Sequence, residues 1–255
     1  MDYDLNTIKG RITQPTANDV FFHGLIYGKS GVGKTYLAAT KRTGRKTLIV
    51  DVERGLTSVA GTGVEAYPAR THQDLQDLFV FLKAEGHKTY DLLVVDSLTQ
   101  LQKFMVADTL EQKVNKREAR DYYRANQDDY ALANEKLRRF LWDARSLPLH
   151  TIYNCLDLEV PLAEGGVAYT VNLTEKFRDS VLAYSDFVAY LDIVPKAKVD
   201  GKVLENVRRL RVVSDGSFVA KVRRAPGLPP LPAHIAQPTL DKLFALLRGK
   251  EEKAA

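Results

Sequence analysis

Gly28, Gly33, Lys34 and Thr35 stand at the spacing G-x-x-x-x-G-K-[ST], with Gly31 as a third flexible point inside the loop. Residues of these types in this order serve one purpose well, the binding of a chain of phosphates. Glycines let the backbone turn so that successive N–H groups point inward, and a helix starting just afterwards adds its positive end. The contacts to a nucleoside triphosphate then run through Gly28, Lys29, Ser30, Gly31, Val32, Gly33, Lys34, Thr35 and Tyr36. Lys34 would reach the β- and γ-phosphates and so take part in catalysis, and the Thr35 hydroxyl would ligate Mg2+. HGLIYG before the loop reads as a strand and KTYLAATKR after it as the start of a helix, the setting that this chemistry needs. The plain alternative is a Gly-rich turn that merely opens a helix.

Two carboxylates complete the set. LLVVDS is an apolar strand ending in Asp96, where a carboxylate at the tip holds Mg2+ through water or through Thr35. TLIVDVE ends in Asp51 and then presents Glu53 on the γ-phosphate side. A water attacking the γ-phosphorus must lose a proton, and an ordered anion at hydrogen-bond distance both orients it and accepts that proton. A strand-end Glu paired with Arg54 or Lys46 is the competing reading of Glu53.

The nucleotide-binding classes separate on further motifs. Guanine readers carry N-K-x-D after a strand, whereas NKRE at Asn115–Glu118 has Glu in place of Asp and no strand before it. Nucleoside kinases need a basic lid, and Lys113, Lys116, Arg117, Arg120 and Arg124 keep that class open. LIVDVERGL, DLLVVDSLTQL, LHTIYNC and AKVRR, in that order after the P-loop, resemble the RecA-like ATPases over roughly Phe22 to Leu247. The chain is similar in particular to phage-encoded members that include single-strand annealing proteins of recombination.

That resemblance implies an ATPase using ATP and Mg2+, slow and stimulated by DNA, which binds single-stranded DNA and promotes annealing or strand exchange. It implies a homo-oligomer, ring or filament, with ATP at the subunit interfaces, and a single-stranded DNA-binding protein as a further partner. Glu53 becomes the residue that polarises water, and Asn154, beside Cys155, stands where RecA has a Gln that senses the γ-phosphate. Lys221 and Arg223 match the Lys-x-Arg pair that some members insert into a neighbour's ATP. DNA contacts fall in a first loop, about Lys103 to Tyr130, which holds Lys113, Lys116, Arg117, Arg120 and Arg124, and a second near Gly165-Gly166. An ATP-switched assembly or loader module acting on a protein, or a P-loop kinase, are the other classes kept.

These residues need a scaffold that brings strand tips together. Apolar β-type runs alternate with helical patterns from residue 20 to about 195, which predicts an α/β fold with a mostly parallel sheet flanked by helices. The strands are HGLIYG, TLIVDVE, VEAYP, DLLVVDS and LHTIYNCL. Thr71 with Asp74 forms a capping box before an apolar stripe of Leu75, Leu78, Phe79 and Leu82, stopped at Gly86. A second helix, around Asn126–Ser146, carries Leu137, Phe140, Leu141 and Ala144 on one face. After an N-terminal arm, residues 1–20, one domain spans 21–247. Within it lie a basic antiparallel hairpin at 195–224 turning on Asp215-Gly216, a Pro-rich extended segment at 225–238 and a C-terminal helix at 239–249. Residues 250–255 are a tail.

With 255 residues and 45% hydrophobic content, the chain has material for one large core. Its one cysteine, Cys155, excludes an internal disulfide, and no apolar run reaches membrane-spanning length, which predicts a cytoplasmic protein. Net charge is +5, and from Pro195 to Arg224 nine bases face three acids, a distribution suited to a polyanion partner.

Overall fold

A computed structural model describes residues 9, 12, 20–115, 124–163, 165–199 and 202–250. The expected arm, apart from residues 9, 12 and 20, lies outside the described residues, as do the tail beyond Lys250 and the DNA-contact candidates Lys116, Arg117 and Arg120.

Ten strands form the sheet: β1 His23–Gly28, β2 Lys46–Asp51, β3 Glu65–Pro68, β4 Tyr90–Asp96, β5 His150–Pro161, β6 Val167–Val171, β7 Phe187–Val199, β8 Lys202–Arg211, β9 Lys221–Val222 and β10 His234–Ala236. Their order is β10-β8-β7-β1-β5-β4-β2-β3, with β6 on β5 and β9 on β7. From β3 to β7 every pairing is parallel; β8, β10, β6 and β9 are antiparallel.

Continuous apolar strands pair in parallel here because both faces are covered. Leu25 and Tyr27 of β1, Leu48 and Val50 of β2, and Leu93 and Val95 of β4 belong to one core, while Ile26, Ile49, Leu92 and Val94 belong to the other. The first core is closed by α2 His72–Phe81, α3 Leu98–Asn115, α4 Gln127–Arg145 and α5 Glu175–Tyr184. The second is closed by α1 Lys34–Ala38 and α6 Leu240–Leu247. Both α2 and α4 start in capping boxes, Thr71 with Asp74 and Asn126 with Asp129. Past Phe81, α2 continues as a π-helical turn over Leu82–Gly86.

The C-terminal half departs from expectation in its pairing. VLENVRRLRVV and SFVAKVRR do not pair with each other across Asp215-Gly216. The long hairpin is β7 with β8, and β9 pairs instead with Phe187 and Val188 at the start of β7. With 13 residues β7 outreaches β8, so β8 and β9 share its edge end to end. The Pro-rich segment contributes β10, paired with β8 through Ala236 and Arg209. The expected first DNA loop is helical to Asn115 and again from Gln127. Among the described residues no helix is long and apolar enough to cross a membrane.

Candidate nucleotide site

The sheet sets the site by register. Ile26 of β1 lies beside Asn154 of β5, Asn154 beside Asp96 of β4, and Asp96 beside Asp51 of β2. One row across four parallel strands therefore places the loop after Gly28, the Asp96 carboxylate and Glu53 at the same edge. Ligand sites in open α/β sheets form at this carboxyl edge.

The loop closes on that edge as its glycines dictate. Gly33 caps α1 at φ 97°, the left-handed region that favours glycine, and a Cβ there would sit 2.7 Å from Arg208 Nε. A Cβ on Gly28 would collide with the Leu191 carbonyl oxygen. Lys34 is buried, and its Nζ donates to the carbonyls of Gly28 at 2.7 Å and Lys29 at 2.8 Å. Two of its three N–H donors are thus used, which leaves one for a ligand. Burial holds its pKa below the ordinary lysine value, against the pull of Asp96 and Glu53. Lys29 leaves the loop to pair with Glu159 at 3.0 Å over the Tyr169 ring, tying the loop to the β5–β6 hairpin.

A cavity of about 290 Å3 opens over the loop, lined by Lys34, Thr35, Glu53, Asp96 and Ser97 among others. Burial raises the Asp96 pKa, and the neighbouring Thr35 and Asn154 side chains and the Lys34 cation oppose that shift. Glu53 accepts a 2.6 Å hydrogen bond from Ser97 Oγ, and Lys46 pairs with Glu65 instead of Glu53. Ser30, Gly31, Gly33 and Tyr36 line the same cavity. Among the described residues no cluster of three or more His, Cys, Asp or Glu side chains could hold a metal. A hydroxyl and one carboxylate, Thr35 and Asp96, fit an ion held mainly by phosphate oxygens and water, as Mg2+ is.

The other expected residues do not line this cavity. Asn154 is buried beside Asp96, on which its side chain acts, and does not line the cavity. Cys155 is fully buried, with its thiol pushed up to about 12 by desolvation. Lys221 and Arg223 lie at the far end of the sheet, since β9 meets Phe187, which pairs with Gly24 at the start of β1. Lys221 donates to Leu182 O and Arg223 to Ala183 O, with Asp186 3.6 Å from Arg223. These carbonyls belong to the last turn of α5, whose negative end the two cations complement. Lys113 is held 2.7 Å from the buried Asp129 carboxylate, and Arg124 is exposed.

Three cavity residues were not foreseen for this site: Ser58, Leu156 and Arg208. Ser97 also lines it, as the residue that follows the Asp96 strand tip. Arg208, on β8, donates from Nε to Val32 O at 3.1 Å and stacks 5.4 Å from the Tyr36 ring centre. No local pattern signals it, because the contact joins residues far apart in the chain.

The family model described as an AAA domain matches residues 22–224, which contain the loop, both carboxylates and β1 to β9. No curated protein matches the chain significantly.

Proposed function

Because the chain belongs to the AAA-domain family of P-loop nucleotide-binding ATPases, we propose that it hydrolyses ATP with Glu53 as base and Lys34, Thr35 and Asp96 as the phosphate and Mg2+ site. One observation carries this reading: Lys34, Thr35, Asp96, Glu53 and Ser97 line a single cavity at the carboxyl edge of the sheet. The Lys34 ammonium offers its remaining donor to the β- and γ-oxygens. Glu53 orients the attacking water and takes its proton as the new P–O bond forms and ADP departs. Ser97 holds the carboxylate still. Thr35 and Asp96 would hold Mg2+, which would supply charge neutralisation to the phosphate oxygens.

The finer reading is that single-stranded DNA is the partner and that the protein promotes annealing or strand exchange in phage recombination. The resemblance to RecA-like ATPases and the net charge of +5 support it. The basic segment supports it less than its composition promised: Arg209 and Arg211 pair with Asp192, Lys196 with Glu205, and Lys221 and Arg223 cap α5. ATP turnover with and without single-stranded DNA across a salt series tests both levels. Stimulation that fades with salt, at a slope of about 0.7 per neutralised phosphate, supports the DNA partner. Turnover indifferent to DNA leaves an ATPase whose target is a protein, and γ-phosphate transfer to an acceptor other than water makes it a kinase.

A further inference from the structure

Trp142 is the chain's single tryptophan and, at 66% exposure, the most exposed aromatic side chain among the described residues. An exposed aromatic standing alone needs no explanation. This one has company. On α4 it is the middle of a stripe, Arg138, Trp142 and Arg145, whose helical spacing keeps the three on one face. That face runs beside α5. Arg138 Nε donates to Ser180 Oγ at 3.1 Å, Trp142 meets the Tyr184 ring edge-on at 5.9 Å, and Arg145 donates to Tyr184 O at 2.7 Å.

The stripe continues across the amino edge of the sheet, opposite the nucleotide cavity. Asp186, whose N–H bonds the His23 carbonyl at the start of β1, holds Arg145 at 2.9 Å and Arg223 at 3.6 Å. Arg223 and Asp186 then line a cavity of about 280 Å3 with Arg224 and Arg248, and Arg248 stacks 5.4 Å from the Phe22 ring centre. Asp186 is the one carboxylate among the described residues that line it. Bonds to backbone carbonyls, such as those of Arg223 and Arg224, occupy N–H donors and leave the charge in place. Beyond Arg138, which has Glu135 at 3.0 Å, one carboxylate therefore serves four guanidiniums. Two of them, Arg145 and Arg223, have side chains 42% and 53% exposed.

Resting on the DNA reading above, we propose that this surface is a track for single-stranded DNA, with Trp142 and Tyr184 as the stacking platform and Arg145, Arg223, Arg224 and Arg248 along the phosphates. An aromatic face accepts any base, and a guanidinium meets a phosphate with two parallel N–H donors, which is the chemistry a single strand needs. The core of a protein–protein interface is depleted of charge, whereas here cations surround the aromatic pair.

Titration of the full chain with a short oligo(dT), and with an abasic oligomer of the same length, tests the assignment; Mg2+ and a non-hydrolysable ATP analogue are present throughout. Oligo(dT) should quench the emission of the single tryptophan, and the abasic oligomer should bind more weakly without quenching. Trp142→Ala should lose about tenfold for oligo(dT) and little for the abasic oligomer, while Trp142→Phe keeps most of the affinity. Arg223→Gln, which retains a donor for Ala183 O, should lower the salt slope by about 0.7. Both positions are exposed, so the variants should melt as wild type does. Oligo(dT) binding that leaves the emission unchanged, or that is the same in Trp142→Ala and Arg223→Gln as in wild type, would overturn this track and leave the DNA reading standing. A Trp142→Ala protein that changes its oligomeric state and keeps its oligo(dT) affinity would make the patch a protein interface, which overturns the track as well. No oligo(dT) binding by wild type at low salt would end both readings.

Discussion

Ser97 Oγ donates a 2.6 Å hydrogen bond to Glu53 Oε1. The donor is buried one residue past β4, and the acceptor is exposed two residues past β2, so the contact ties the tips of adjacent parallel strands. A carboxylate on a strand tip would otherwise sample several rotamers. The serine fixes it where Asp96 and Lys34 face the same space.

Removing the acceptor and removing its support should therefore differ in degree. Glu53→Gln should bind nucleotide normally and lose about 10²-fold or more in hydrolysis. Ser97→Ala keeps the base but frees it, and should lose about tenfold in kcat with KM little changed. Phosphate release and equilibrium nucleotide binding measured on the same samples decide the matter. Near-normal turnover of Glu53→Gln would make the glutamate a structural strand-end residue.

Lys34→Ala should abolish tight ATP binding. The ammonium is buried against the Gly28 and Lys29 carbonyls, so its loss removes both the phosphate cation and two hydrogen bonds that shape the loop. Titration of a fluorescent ATP analogue, with a thermal melt of each variant, checks this. An unchanged dissociation constant in a folded variant would remove the loop from the site. Asp96→Asn should instead make nucleotide binding less dependent on Mg2+.

Much of this site was legible because its signals are local. The glycine spacing, Lys34 and Thr35 follow from one short motif, and Asp96 and Glu53 from apolar strands that end in acids. The five parallel strands and both capped helices were legible for the same reason. What escaped depends on distance along the chain. FVAYLDIVPKAKV mixes apolar and charged residues without clean alternation, so β7 was not singled out, and with it went the true partner of β8. Asp215-Gly216 does turn the chain, and Ser214 and Ser217 bond locally around it, but a turn signal does not say which strand receives the next segment. Arg208 reaches Val32 across 176 positions, and Lys221 and Arg223 owe their placement to α5, a helix not read from the sequence.

Tyr27 should be a stability hub. It is fully buried in β1, and its hydroxyl donates to Val219 O at 2.8 Å and accepts from Val219 N at 2.8 Å, with Tyr169 O at 3.2 Å. It thus joins the P-loop strand to the segment before β9 and to the β5–β6 hairpin. Tyr27→Phe keeps the ring and leaves the Val219 carbonyl without its donor, while Val219 N–H keeps the Tyr169 carbonyl at 3.3 Å, at a cost of about 1–3 kcal/mol. Urea unfolding of the two proteins measures it. A loss under about 0.5 kcal/mol would show that water replaces the phenol there.

Acid should destabilise the fold before most carboxylates titrate, because two buried histidines stay neutral in the native state. His150 packs against the Phe22 and Phe244 rings, which also touch each other, accepts from Phe22 N at 2.8 Å and faces Arg248. His23, also buried, has Arg145 and Asp186 as its charged neighbours. Desolvation foremost, with help from Arg248 and Arg145 respectively, lowers each from 6.5 to about 4. Between those values the unfolded chain binds protons that the folded one refuses, so stability is fully present above about pH 6.5 and falls as pH drops toward 4. The slope is about 1.4 kcal/mol per pH unit for each histidine, and the loss from pH 7 to 5 is on the order of 2–4 kcal/mol for the pair. Urea midpoints at pH 7, 6 and 5 should show it. His150→Gln, which keeps an acceptor for Phe22 N–H, should remove about half of the slope. A wild-type stability flat from pH 7 to 5 would mean that the two imidazoles gain protons in the folded protein as readily as in the unfolded chain.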